Sequence, residues 1–338
     1  MRVSYYLSLT AFLVAALGMG SAAKAQYAGH MSSLVMDART GQVLSSSDAD
    51  LQRYPASLTK MMTLYITFRT VAEGRMSLED TMPVSIHCSM QEPSKLGMRP
   101  GSTLKVESAI LGLVTKSAND AACTLGEYMG GGDEASFAAE MTRTAHQIGM
   151  SSTTFRNASG LPDPDQVTTA RDMAVLARHI MKDFPQYYHY FNVRSFYFNR
   201  RTIPNHDPLL GIYAGADGLK TGYTALAGHN LVSSAWQGDI RLIGVVLGAR
   251  SNGIRNGEMI ALLDKGFVAE GHTPLPLIKR AAPSRALIAK RGKRSGIRSI
   301  HQRQDVRLVS YRPYRKAGTA ASGMVHKTRV SKRGHHRS

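Results

Sequence analysis

Apolar positions change their period several times along this chain. Ser33-Leu34-Val35-Met36-Asp37-Ala38 alternates into a turn at Arg39-Thr40-Gly41, and Gln42-Val43-Leu44-Ser45 follows, a hairpin pattern. A dense apolar series comes next, Met61, Met62, Leu64, Tyr65, Ile66 and Phe68, led by Pro55-Ala56-Ser57-Leu58-Thr59-Lys60. It predicts a buried helix whose first turn carries Ser57, with Pro55 where a missing N–H does no harm. Glu73 to Thr103 is polar, punctuated by Gly74, Pro83, Pro93, Gly97, Pro100 and Gly101, and reads as loops with little regular structure.

Val106 to Leu125 turns helical, in two apolar runs split by Lys116-Ser117-Ala118-Asn119-Asp120. Gly130-Gly131-Gly132 closes the second run. Phe137, Met141, Ala145 and Ile148 mark one face of the next helix, ended by Gly149. Thr169 with Asp172 is a capping pair opening another helix through Met181. Strand patterns return at Asp217–Thr224, Asn230–Ala235 and Arg241–Leu247, with a tight turn at Gln237-Gly238-Asp239, before a helix from about Glu258 to Phe267. Hairpin, helices, then late strands predict an α+β fold. One antiparallel sheet pairs its first and last segments, with flanking helices and an inserted α-helical region.

Composition adds a core and an address. Of 338 residues 43% are hydrophobic, ample for burial. Arg2, the apolar run Leu7 to Ala22 and Ala23-Lys24-Ala25 before Gln26 read as a cleaved export signal. Gly18 and Gly20 interrupt that run, and no cysteine stands at the cleavage point to carry a lipid. The net charge of +18 is uneven. Of 42 Lys and Arg and 24 Asp and Glu, 18 and one fall between Thr273 and Ser338, leaving 24 and 23 before them. The charge thus belongs to a basic tail of low order. For an exported chain its partners are an anionic envelope or membrane surface, if it has any, and no nucleic acid is expected. A solvated tail without a partner explains the charge equally well.

Cys88 and Cys123 leave one disulfide open, but Cys123 sits in a helix-like apolar run, which favours two separate thiols. Neither has a metal-ligand spacing, and the histidines are scattered without one. Tyr187, Tyr188, Tyr190 and Phe191 read as packing or surface aromatics, and Arg194, Arg200 and Arg201 could flank a cleft.

Three short motifs carry candidate chemistry. Ser57 and Lys60 are one helical turn apart, so a lysine desolvated by its apolar helix can take the serine's proton. S-x-x-K recurs by chance and carries weight only with partners. Ser117 and Asn119, two apart in a short loop, can point into one cleft, one relaying a proton and the other holding an amide. Lys220-Thr221-Gly222 on a strand offers a cation, a hydroxyl and a glycine that lets an extended ligand approach the strand.

Together, in this order, the motifs resemble those of the serine D-alanyl-D-alanine carboxypeptidases, the low-molecular-weight penicillin-binding proteins (peptidase family S11). The likeness covers about Ser33 to Phe267 and extends to Asp37-Ala38-Arg39-Thr40-Gly41, Phe155-Arg156-Asn157-Ala158-Ser159-Gly160-Leu161 and Gly218 through Thr224. It implies a β-lactamase/DD-peptidase-like fold with a signal peptide at 1–25, a catalytic domain at 26–272 and a basic tail at 273–338. It implies Ser57 as acylated nucleophile, Lys60 as general base and Ser117 as proton relay. Asn119, Lys220, Thr221, Gly222, Tyr223 and Arg255 would bind substrate, with the N–H groups of Ser57 and Tyr223 as oxyanion hole and Arg250 a weaker candidate beside Arg255. The implied substrate is the peptidoglycan stem peptide, with β-lactam antibiotics as covalent inhibitors, in the periplasm or cell envelope. No metal or cofactor is needed.

Ala118 stands where the family often has glycine, and after Phe267 no pattern of a second β-rich domain or an amphipathic anchor follows. A class A β-lactamase would need a deacylating glutamate after Asn157, where only Asp163, Asp165 and Asp172 occur. A DD-endopeptidase shares every motif and stays open beside the carboxypeptidase. A wall-binding protein with a dead site is disfavoured by the intact Ser57, Lys60, Ser117, Asn119 and Lys220.

Overall fold

In the computed structural model residues 30–278 are described. The export signal, and all of the basic tail beyond Ile278, lie outside the described residues. These residues belong to one compact unit.

The chain opens with β1 (Ser32–Asp37) and β2 (Val43–Ser47), passes through a 3-10 turn at Ala56–Thr59 and enters α1 (Lys60–Ala72). Next come β3 (Thr81–Pro83), α2 (Ile86–Ser89) and β4 (Thr103–Lys105), then α3 (Val106–Thr115), α4 (Asn119–Met129), α5 (Glu134–Gln147) and α6 (Ala170–Asp183). A hairpin of β5 (Ser195–Phe198) and β6 (Arg201–Pro204) and the short α7 (Leu209–Ile212) lead to β7 (Ala216–Thr224), β8 (Gly228–Gln237), β9 (Ile240–Ala249) and α8 (Asn252–Ala269).

Five strands form one sheet in the order β2-β1-β9-β8-β7, each neighbour antiparallel. First and last strands meet at its centre, with Ser32 opposite Leu247 and Asp37 opposite Leu242. Alternate side chains supply two cores. Leu34, Met36, Val232 and Val245 face the helical region around Phe68, while Val35, Leu231 and Val246 pack under Met259, Leu263 and Phe267 of α8. Covered on both faces, β9 reads as an almost unbroken apolar run, as buried strands do.

The α+β expectation holds, and several details differ. The Ser57 turn is 3-10, not α; α1 begins only at Lys60. Ala56 has φ +49°, outside right-handed helix, so α1 cannot extend through it. The segment expected as loop holds β3, α2 and the start of β4. In α2 the Ser85 hydroxyl accepts from Cys88 N–H at 2.9 Å, a cap that organises one turn too short to show a period. The largest correction is Cys88–Cys123, which is a disulfide with Cα atoms 5.3 Å apart. Cys123 is buried on α4 as its apolar run requires, but α2 lays Cys88 on that same face. The closing helix starts six residues before the predicted Glu258, capped by the Ser251 side chain, which accepts from Ile254 N–H.

Candidate active site

Ser57 lies on its 3-10 turn because several elements hold the turn there. The Asn230 amide on β8 donates to Tyr54 O (3.0 Å) and Pro55 O (3.1 Å) while its oxygen accepts from Gly248 N–H (2.9 Å). Gly222 on β7 presses against the turn, where a Cβ would lie 3.2 Å from Ser57 N. On the other side Gly160, at φ +86°, lies so close that a Cβ would come within 1.9 Å of Ala56 O. The Asn157 carboxamide oxygen shapes this second wall by accepting from Gly160 N–H (2.7 Å) and Ser159 N–H (3.2 Å).

Lys60, one turn on, is fully buried. Its Nζ lies 3.1 Å from Ser57 Oγ, 2.6 Å from Asn119 Oδ1 and 2.5 Å from Ser159 O. Burial holds its pKa well below the usual lysine value, and the charge of Lys220 lowers it further.

The polar break between α3 and α4 faces the same cleft. Ser117 takes φ +60°, which turns the chain sharply between the helices; its hydroxyl is buried without a hydrogen-bond partner among the described residues. Asn119 opens α4 and donates through Nδ2 to Glu92 O (2.8 Å) and through its backbone N–H to Ser94 O (2.7 Å). That Nδ2 contact orients its oxygen toward Lys60. Asp120 accepts from Leu96, Gly97 and Met98 N–H groups, fixing the facing wall.

Strand β7 supplies the third side. Lys220 is buried, and its Nζ donates to Thr221 O at 2.7 Å. Burial lowers its pKa to about 7; Asp207 pulls it up and Arg255 pushes it down. Arg255, in the first turns of α8, is 4% exposed and its guanidinium donates to Asn256 Oδ1. Tyr223 is exposed, its ring stacked on His229 with centroids 4.3 Å apart. Ser57, Ser117, Asn119, Thr221, Gly222, Tyr223 and Arg255 line one cleft of 490 Å³, together with Pro93, Ser94, Gly160, Leu161, His206, Thr224, His229 and Asn252.

Every residue singled out in the motifs thus reaches this cleft or lies buried beneath it; the flanking arginines do not line it. Arg200 and Arg201 are exposed at the β5–β6 hairpin, and Arg250 is exposed between β9 and α8. Tyr188, Tyr190 and Phe191 are buried, and Tyr187, Tyr190 and Phe191 pack their rings around Phe68. Sequence reasoning missed His206 and Asp207, whose segment Asn205-His206-Asp207-Pro208 has the composition of any turn. In the sequence Asn230 reads only as strand, although an asparagine at a buried strand position, unusual in itself, is the available signal.

The profile of the D-alanyl-D-alanine carboxypeptidase family, peptidase S11, matches residues 20–251. The chain belongs to this family. Its relative DacC, a D-alanyl-D-alanine carboxypeptidase of Escherichia coli strain K12, is 39% identical over 241 residues, 69% of this chain and 60% of that protein. The chain therefore spans about three-fifths of that relative's length. Among solved structures in the family, the D-alanyl-D-alanine carboxypeptidase DacD from Francisella tularensis superposes with a TM-score of 0.67 at 32% identity, covering 70% of each chain. Penicillin-binding protein D2 from Listeria monocytogenes, solved in its ampicillin-bound form, superposes at 0.61 with 30% identity, covering 70% of this chain and 96% of that one.

Proposed function

We propose that this protein is a serine D-Ala-D-Ala carboxypeptidase that removes the terminal D-alanine from peptidoglycan stem pentapeptides through an acyl-enzyme on Ser57. The observation that carries this reading is a fully buried Lys60 whose Nζ lies 3.1 Å from Ser57 Oγ. A buried amine held neutral has two N–H groups and one lone pair. Two of its three neighbours, Asn119 Oδ1 and Ser159 O, can only accept. When they take both N–H groups of the neutral amine, its lone pair is left toward Ser57 Oγ, 3.1 Å away, and can accept the serine proton on attack. The arrangement leaves one place for the serine proton to go.

On attack, Oγ forms a bond to the carbonyl carbon of the penultimate residue as its proton passes to Lys60 Nζ. The carbonyl electron pair moves to oxygen, where the N–H groups of Ser57 and Tyr223 receive it. Ser117, with its unpartnered hydroxyl, relays a proton to the departing D-alanine amine as the C–N bond breaks. Lys220, Thr221 and Arg255 hold the terminal carboxylate, and Asn119 and Gly222 align the peptide along β7. Water then cleaves the ester. β-Lactams would acylate Ser57 by the same route, at the cell envelope where stem peptides occur.

The test is D-alanine release from a pentapeptide ending in D-Ala-D-Ala, by wild type and by Ser57→Ala, beside a labelled penicillin mapped by mass spectrometry. Release that falls at least roughly a thousandfold in the variant, with the label on Ser57, is the expected result. Labelling without release would redirect the reading to cross-link cleavage, and absence of both would overturn it.

A further inference from the structure

Arg255 lines the cleft and Lys220 lies buried beneath it, and among the described residues no carboxylate is hydrogen-bonded to either. Lys220 gives its described hydrogen bond to Thr221 O and Arg255 gives its own to Asn256 Oδ1, both neutral acceptors. Each is almost wholly out of water, at 2% and 4% exposure, and beyond that burial the Arg255 charge disfavours the charge on Lys220. Buried charge of one sign is costly without an opposing charge nearby.

Asp207 is the buried acid whose charge acts on both. It is 6% exposed. One carboxylate oxygen accepts from Leu209 N–H at 2.9 Å, ahead of α7, which packs on β7, while Oδ2 has no hydrogen-bond partner among the described residues. Its segment is pinned, since Asp207 N–H donates to Asn205 Oδ1, Asn205 Nδ2 to Val193 O and His206 N–H to Thr115 O at the end of α3. An open, buried carboxylate oxygen on fixed backbone suits a shared electrostatic partner better than a single ion pair. We propose that Asp207 is a positioning residue that supplies the common counter-charge of Lys220 and Arg255, and so keeps the carboxylate-binding end of the cleft cationic up to neutral pH.

The other charges are arranged consistently. Burial disfavours the charged forms of Lys60 on α1, His206 beside Asp207 and His229 on β8, and Lys220 adds to this at Lys60 and His206, Lys116 at His206 and Arg255 at His229. Arg194, before β5, adds a third cation acting on Asp207. None of these groups relieves the Lys220–Arg255 repulsion; Asp207 does.

The inference rests on the carboxypeptidase reading. Asp207→Asn keeps an oxygen for Leu209 N–H and removes the charge. Lys220 then loses its proton more readily, and the alkaline limb of kcat/KM for the D-Ala-D-Ala peptide moves to lower pH by about one unit or more. At pH 8.5 such a shift reads as roughly a tenfold loss, mostly in KM. At pH 5.5 the loss disappears, because Lys220 is charged in both proteins and burial, which raises the Asp207 pKa to about 6, leaves that acid largely protonated in the wild type. A structural defect would lower activity at every pH instead. Unchanged limbs, or a uniform loss, would overturn the proposal while leaving the carboxypeptidase reading intact; a wild type that neither releases D-alanine nor binds penicillin would sink that reading first. Should Asp207→Asn not fold, the side-chain resonance of Lys220 in wild type, assigned by its disappearance in Lys220→Met, gives the second measurement. It is expected to titrate in two steps, the lower one being the ionisation of Asp207, and a single step would refute the coupling.

Discussion

Reducing the Cys88–Cys123 bond alters the unfolded chain far more than the native one, which makes it a clean perturbation. Both sulfurs are fully buried, one on the short α2 and the other one turn into α4, with a sequence separation of 35. Closing a loop of that size in the unfolded ensemble gives about 3.8 kcal/mol of stabilisation at 25 °C in the chain-entropy account, an upper figure where the reduced chain keeps residual structure. For a unit of this size it corresponds to a fall in Tm of roughly 8–15 °C. The assay is urea unfolding of the same wild-type chain oxidised, and after unfolding and refolding in a reductant, so no side chain is deleted and no cavity opened. The cross-linked chain exposes less surface on unfolding, so its m-value should be the smaller of the two. A stability difference below about 1 kcal/mol with equal m-values would refute the reasoning, and would mean that the packing of α2 against α4 holds this region without the bond.

Other outcomes follow from the cleft. The proposed carboxypeptidase reaction needs Lys60 neutral and Lys220 charged, so kcat/KM of the free enzyme should be bell-shaped, its alkaline limb near the Lys220 value of about 7; a profile flat to pH 10 would contradict this. Lys220→Met should abolish turnover yet raise Tm at pH 6. The unfolded chain keeps its lysine protonated up to about 10.4 while the fold holds it near 7, so stability from this group rises with pH across that window and the variant's advantage shrinks toward pH 10. An equal or lower Tm at pH 6 would count against the burial cost. Gly160→Ala places a methyl into Ala56 O and strains a left-handed backbone, so penicillin acylation of Ser57 should fall at least roughly a hundredfold; near-normal acylation would show the wall is free to give way. Asn230→Ala removes both carbonyl partners of the serine turn and should cost roughly 2–3 kcal/mol together with a drop in acylation rate, checked by urea melts and penicillin labelling.

Much of this architecture is written locally. The hairpin, α1 and the strands β7 to β9 each span enough residues to show a period, and Ser57, Lys60, Ser117, Asn119 and Lys220 lie at fixed short spacings that survive folding. What escaped the sequence depends on distant partners. Cys88 meets Cys123 only because a one-turn helix packs on α4, and Asp207 gains meaning only when α7 sets it among Lys220, Arg255 and Arg194, residues of three separate segments. The β5–β6 hairpin escaped for another reason: its faces are mostly exposed and its turn uses Asn199 and Arg200 at positive φ, without the glycine that marks most such turns.

Because β1 has β2 on one side and β9 on the other, the centre of the sheet joins the two ends of the described fold. A chain that has emerged only as far as β6 can form its helices and still lacks the strands that carry Lys220, Gly222 and Asn230. Such non-local pairing is slow to form, since the loop it closes must be ordered first. The nucleophile is present early in synthesis, but one side of the turn that aims it is braced by Gly222 and Asn230, which are made late. A partly made chain therefore carries Ser57 without the full brace of its turn, and the cleft around it is complete only when the sheet closes.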